Sequence, residues 1–255
     1  MQAALERHVR AAPGWDSLLQ RRSLAIGVVD LTDVARPRFA SIDGDQMMYA
    51  ASLPKIALLL AAVQGFEDGV LGETPDVVSD LHDMIRVSSN RAATRTFDRL
   101  GIDYVAAVLT DPRYRPYSRN HGGLWVGKPY AERAPRRPDP KGGIVHAATV
   151  IETCRFYYLL ATGRLVSPTR SRQILDVLRD PGIDHKLVRS LEQRCPRARC
   201  FRKSGTWRSW HSDSILVWGP DWRRYILVVL VEDPGGEQII RDMLPAVERV
   251  LRPSS

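Results

Sequence analysis

Apolar residues recur at helical spacing between residues 3 and 20, with a break at Pro13-Gly14, and predict an interrupted N-terminal helix. Ser23–Asp30 is a β-branched apolar run and reads as a strand. Arg38–Asp43 alternates and reads as a second strand, ended by Gly44-Asp45. From Ser52 to about Asp180 the pattern turns helical, with helices expected over 52–67, 76–87, 90–100, 102–109, 147–162 and 168–179. Strand patterns return at Arg199–Trp207, Ser212–Trp218 and Arg224–Val231, and after Pro234-Gly235-Gly236 a last helix runs to about Val250. Two strands before a helical block and three after it imply one antiparallel five-stranded sheet flanked by terminal helices and interrupted by an inserted all-helical unit. This is an α/β (α+β) architecture. The expected division is 1–50 with 188–255 for the sheet unit and 51–187 for the helical one. There are no internal repeats.

The segment 111–143 breaks the helical pattern and is dense in Pro, Gly and Arg. A loop this long in a compact domain is usually functional or disordered. Gly122–Tyr130 carries Trp125 and Tyr130 and is too apolar for plain disorder, so an ordered loop near a site is expected. Composition adds limits. The 255 residues suffice for one large domain or two intimate ones. The net charge of +8 is spread over arginines along the chain, with no basic stripe or nucleic-acid module. Acidic ligands and an anionic cell envelope are favoured partners, and nucleic acid is not. No apolar run has the length of a membrane span. Residues 1–8 carry no apolar signal core, which implies a cytoplasmic chain or one lacking its leader. Cys154 falls in an apolar helical pattern as a buried thiol. Cys195 and Cys200 either close a small disulfide loop or stay free. No His/Asp/Glu cluster has ligand spacing, so neither metal nor cofactor is expected.

The helix over 52–67 is apolar except at its start, Ser52-Leu53-Pro54-Lys55. Proline is tolerated in a first helical turn, which places the start near Ser52. Ser52 then sits at the positive end of the helix dipole, and Lys55, three residues on, shares its face. A serine is a weak nucleophile until a base takes its proton, and a lysine can do so if burial lowers its pKa. S-x-x-K alone is cheap, and taken by itself it is better explained by an N-cap serine beside an ordinary lysine. Ser88-Ser89-Asn90 puts a hydroxyl and an amide at a helix junction, able to relay a proton or steady Lys55, or to cap the next helix. Ser118-Arg119-Asn120 repeats the S-x-N pattern in the irregular loop and is a decoy. Lys203-Ser204-Gly205-Thr206 sits on a strand, where the lysine can tune hydroxyls and the glycine lets a substrate backbone lie close.

S-x-x-K, S-x-N and K-S-G occur in order on a helix start, a helix junction and a late strand, and in this the chain resembles the serine β-lactamase / penicillin-binding protein superfamily, closest to its class A-like branch. Met84-Ile85-x-x-Ser88-x-Asn90 and Arg202–Trp207 are the most specific stretches, and the likeness runs from the first strand to the last helix. The resemblance implies that Ser52 attacks an amide or lactam carbonyl to form an acyl-enzyme, with Lys55 as base or its electrostatic helper. It implies that Ser88 passes a proton to the leaving nitrogen beside Lys203, and that the Ser52 and Thr206 N–H groups form an oxyanion hole. Asn90, Ser204, Gly205 and Thr206 would bind the substrate, Ser204 and Thr206 at its carboxylate. It further implies a small β-lactam or peptidoglycan-like substrate, a monomer, and a periplasmic or secreted location. A D,D-peptidase or esterase, or a β-lactam sensor with slow deacylation, are the alternatives.

The chain departs from class A β-lactamases in the Ω-shaped loop, where their Arg/Trp-x-Glu-x-x-Leu-Asn signature does not occur. The corresponding segment runs from Leu124 to Glu132, and Glu132 is the acidic residue nearest the expected place. Lys128 and Tyr130 are candidates to line the cleft. The short Ser52–Ser88 spacing implies a trimmed helical unit and an open site. Trp207–Asp213 is expected as a hairpin at the cleft rim, where Arg208 or His211 could hold an anion. A Ser-His-Asp triad through His211 is the poorer hypothesis, since no G-x-S-x-G elbow exists.

Overall fold

A computed structural model describes residues 1–131 and 134–252. In chain order the elements are α1 (Gln2–Arg10), α2 (Trp15–Gln20), β1 (Leu24–Asp30), β2 (Arg38–Ile42), β3 (Met48–Tyr49), α3 (Lys55–Glu67), α4 (Pro75–Arg86), α5 (Asn90–Leu100) and α6 (Ile102–Leu109). There follow β4 (Tyr117–Ser118), β5 (Gly122–Gly123), β6 (Trp125–Val126), β7 (His146–Ala148), α7 (Val150–Ala161), α8 (Pro168–Leu178), α9 (Lys186–Arg194), β8 (Arg199–Trp207), β9 (Trp210–Trp218), β10 (Arg224–Glu232) and α10 (Gly236–Leu251).

The five long strands form one antiparallel sheet in the order β2-β1-β10-β9-β8. Successive side chains of β1 and β10 alternate between two cores, as the two-residue strand period requires. Leu24, Ile26 and Val28 meet α1, α2 and α10, whereas Ala25 and Val29 face the helical side with α3 and α7. Both sheet faces are therefore covered, which is why these strands read as continuous apolar runs. Gly27 lets α7 approach: a Cβ there would lie 2.8 Å from Cys154 Sγ. β8 is the outermost strand beyond β9, and among the described residues its outer edge carries only an isolated bridge, Phe201 to Arg179.

α3 is buried on every side from Lys55 to Gly65, as a helix apolar all round its circumference must be. Its start differs from the expectation. Residues 51–54 form a turn held by bonds of the i→i−3 kind, Leu53 N to Ala50 O (3.0 Å) and Lys55 N to Ser52 O (3.2 Å), and the helix proper begins at Lys55 with Pro54 as its N-cap. At the next junction Ser89 is the N-cap, its hydroxyl accepting from Ala92 N (3.2 Å), which leaves Ser88 and Asn90 free to turn elsewhere.

α9 was not anticipated, and it runs across position 187/188, where the sequence set its division into two units. The irregular segment is ordered by β4, β5 and β6, with Leu124 and Trp125 in the core. Cys154 and Cys195 are buried, and Cys195 and Cys200 are free thiols. Among the described residues no helix is long and apolar enough to cross a membrane, and no group of three or more His, Cys, Asp or Glu is placed to hold a metal ion.

Candidate active site

Four stretches distant in sequence meet at β8, the outermost strand of the sheet. Gly205 fixes the first contact: a Cβ at this position would lie 2.6 Å from Ser52 N, 2.6 Å from Ser212 Oγ and against Ala50 O. Only glycine lets the strand backbone and the turn bearing Ser52 approach this closely. Ser212 Oγ donates to Ala50 O (2.8 Å) and ties β9 to the same turn.

Lys55 points from the first turn of α3 toward the junction at Ser88 and Asn90. Its Nζ donates to Ser88 O (2.7 Å) and Asn90 Oδ1 (2.8 Å) and lies 3.4 Å from Ser88 Oγ. From the other side Lys203 Nζ donates to Ser88 Oγ (2.9 Å) and to Ser204 O (2.7 Å). One hydroxyl thus stands between two buried amines. Burial pushes the Lys55 amine down to about 7. Lys203 is held well below the ordinary lysine value, first by burial and then by the charges of Lys55 and Arg202. Two ammonium groups on one hydroxyl in a dry niche repel, which adds to the lowering at Lys203. Among the described residues Lys55 makes no hydrogen bond to the Ser52 hydroxyl. Its bonds run to Ser88 and Asn90 instead.

Tyr130, expected from the sequence as a lining residue, and two side chains missing from the sequence-based set, His146 and Lys186, complete the surroundings. The Tyr130 ring covers the Lys55 Nζ, 4.5 Å from its centroid, and its hydroxyl donates to Ala51 O (3.3 Å). His146 stacks on that ring with centroids 4.1 Å apart, and burial pushes its imidazole down to about 4. Lys186, fully buried, donates to Gly205 O (2.7 Å), Thr206 Oγ1 (2.8 Å) and Ser212 O (3.2 Å), and burial lowers its amine to about 8. Leu187, Val188 and Leu191 carry the apolar spacing that marks α9, but nothing in the pattern marks Lys186 as buried. A cleft of about 450 Å³ opens alongside, lined by Asn90, Arg91, Thr94, Arg95, Tyr130 and Ala131.

The backbone around the site is strained. Ala51 (φ 49), Ser88 (φ 58) and Lys186 (φ 54) are non-glycine residues in the left-handed region. Each costs on the order of 1 kcal/mol, and such costs gather at functional sites.

Other candidates fall away from this centre. Lys128 Nζ donates to Ala131 O (2.8 Å) rather than reaching Lys55. Arg208 lies in the exposed β8–β9 turn with its guanidinium over Trp207. His211 is buried against Gly236, so it packs the base of α10 instead of lining a rim. Asp213 forms a buried ion pair with Arg202 (2.7 Å), which removes it from any triad with His211. Glu132 lies outside the described residues.

A protein-family model described as the beta-lactamase enzyme family matches residues 72–247, a span that contains Ser88, Asn90 and Lys203–Thr206. Among curated proteins none matches the chain. Solved structures do. A beta-lactamase from Sphaerobacter thermophilus DSM 20745 superposes with a TM-score of 0.73 at 19% identity, covering 99% of this chain and 99% of that one. The class A beta-lactamase of the last common ancestor of Gram-negative bacteria (GNCA4) gives 0.71 at 20% identity, over 98% and 100% of the two chains. A structure of PBP-A gives 0.70 at 18% identity, over 98% and 96%. At these identities the superpositions speak for the fold.

Proposed function

Because the chain belongs to the beta-lactamase enzyme family, we propose that it is a serine hydrolase that forms an acyl-enzyme through Ser52 with β-lactams or related amides. The observation that carries this reading is the Ser88 hydroxyl between the amines of Lys55 and Lys203, on the strand whose Gly205 touches the Ser52 turn. In the reaction Ser52 Oγ bonds to the carbonyl carbon. Its proton passes to neutral Lys55 and, through Ser88, to the nitrogen that leaves as the C–N bond breaks. The N–H groups of Ser52 and Thr206 receive the developing oxyanion, each worth on the order of 3 kcal/mol. Asn90 bonds the substrate amide while holding the Lys55 amine. Lys186 donates into Thr206 Oγ1, so the Thr206 hydroxyl proton is free for the substrate carboxylate.

Tyr130 favours a second reading, in which the acyl-enzyme persists. Its ring occupies the approach to Lys55, and burial raises its phenol well above 10, so it takes no proton from water at neutral pH. A chromogenic cephalosporin followed by colour and by intact mass tests both. Turnover supports the lactamase. A lasting adduct supports a penicillin-binding or sensor role, and reaction only with esters or D-Ala-D-Ala peptides supports the esterase or peptidase. Ser52→Ala is expected to abolish every adduct; a label that survives it places the nucleophile elsewhere.

A further inference from the structure

Ser204 and Thr206 lie on the same face of β8, two residues apart, yet their hydroxyls have opposite partners. Thr206 Oγ1 accepts from Lys186, whereas Ser204 Oγ lies 3.2 Å from His185 Nε2. His185 is the N-cap residue of α9, and its Nδ1 faces Glu237 Oε2 of α10 at 3.6 Å. Arg241 holds the other oxygen of Glu237 (3.1 Å), which keeps Oε2 turned to the ring. We infer that His185, with its tautomer set by Glu237, accepts a hydrogen bond from the Ser204 hydroxyl and so leaves Ser204 Oγ as an acceptor for an uncharged N–H or O–H of the substrate. The inference rests on the serine-hydrolase reading for its substrate. It deepens that reading by giving Ser204 a different task from the carboxylate contact that the resemblance implied.

The argument is one of donors and acceptors. A neutral imidazole has one N–H and one lone pair. A lone pair on Nδ1 would face a carboxylate, so the N–H sits on Nδ1 and the lone pair on Nε2, where it meets the hydroxyl hydrogen of Ser204. The groups around the ring keep it neutral. Burial, then the charges of Arg202 on β8 and Lys186 on α9, outweigh Asp213 on β9 and Glu237, and push the imidazole down to about 4. The Arg202 guanidinium is itself spent on Asp213 and on Ile183 O (2.9 Å). The strand edge therefore offers two unlike subsites side by side. Thr206 donates to an anion, and Ser204 accepts from a neutral donor, so the site selects an acid that carries an amide N–H or hydroxyl beside its carboxylate. His185 is a positioning residue, since it acts through Ser204.

The test compares the full chain with His185→Asn and Glu237→Gln on a β-lactam carboxylic acid and its methyl ester. In His185→Asn the amide N–H points at Ser204 Oγ and frees its proton, so KM for the acid is expected to fall about tenfold relative to the ester. The change should fall on KM rather than kcat. Glu237→Gln, at a half-exposed side chain, should move the same ratio in the same direction. Imidazole ¹⁵N spectra at pH 7 should show the Nδ1–H form in the wild type and a gain of the Nε2–H form in Glu237→Gln. An unchanged or rising acid-to-ester ratio, or an Nε2–H ring in the wild type, overturns the inference. If no lactam or ester labels Ser52, the hydrolase reading has failed instead, and the imidazole spectra alone decide the direction of the Ser204 hydroxyl.

Discussion

Lys55→Met is expected to abolish acylation and at the same time to stabilise the fold, by an amount that depends on pH. The amine is fully buried, and burial moves its pKa from 10.5 to about 7. Below pH 7 both the folded and the unfolded chain carry the proton, and the folded state bears the whole cost of a desolvated ammonium. That gap of roughly 3.5 pKa units amounts to about 5 kcal/mol. Between pH 7 and 10.5 the unfolded chain binds more protons than the folded one, so stability rises with pH, and by pH 9 roughly 2 kcal/mol of penalty remain. Methionine removes the penalty and also the bonds to Ser88 O and Asn90 Oδ1, together about 2 kcal/mol. The net gain is about 3 kcal/mol at pH 6 and close to zero at pH 9. For a chain of this length that is roughly 6–12 °C in Tm at pH 6. Thermal unfolding followed by circular dichroism at the two pH values measures the difference, and intact mass after exposure to a lactam measures acylation. A variant that is destabilised at pH 6, or stabilised equally at both, would show that Lys55 carries no desolvation penalty and would remove the physical basis for its role as a base.

Gly205→Ala should lower the acylation rate by about 100-fold, because the added Cβ meets Ser52 N and Ala50 O, backbone atoms that cannot step aside. The accompanying loss of stability should be about 1–3 kcal/mol, and an acylation rate near wild type would mean that β8 does not shape the oxyanion hole. The Lys186 amine, lowered to about 8 by burial, should lose its proton above pH 8, so KM for a carboxylate-bearing substrate rises there while KM for its ester stays level. Lys186→Met should show the high-pH behaviour at every pH; a flat wild-type profile would exclude the lysine from the subsite. Asp213→Ala leaves the Arg202 guanidinium buried without its partner and should cost about 3–5 kcal/mol in urea unfolding, whereas a loss under 1 kcal/mol would mean that water reaches the pair.

The parts of this fold that were legible in the sequence are those set by local periodicity. The all-apolar run of α3, the continuous apolar runs of β1 and β10 and the cap of α5 all follow from patterns a few residues long. The five strands and their antiparallel sheet follow from the same signal. Pro54 was legible as a helix-start residue, but the chain spends one more turn in i→i−3 bonds before α3 begins, since a proline fixes φ without fixing which carbonyl the next N–H finds. Of the candidate site, the three motifs legible in the sequence lie on elements that meet at β8. What could not be read is what surrounds them. Tyr130 reaches Lys55 across 75 positions from within an irregular segment, and no local pattern encodes that contact. Lys186 looks in sequence like any solvated lysine of a short amphipathic helix, yet three acceptors on β8 and β9 hold it buried.

The same reasoning explains why strain is invisible at this level. Ala51, Ser88 and Lys186 adopt left-handed φ values that their residue types do not advertise, where a glycine or asparagine would have given notice. Tertiary bonds hold each in place. Ala51 O accepts from Tyr130, Ser88 O accepts from Lys55, and Lys186 Nζ donates to Gly205 O. The three bonds join the irregular segment, α3 and α9 to the site itself. The conformation of the site is therefore a product of the assembled fold: an isolated segment containing Ser52 or Ser88 would relax out of the left-handed region and lose the geometry that places one hydroxyl between two amines.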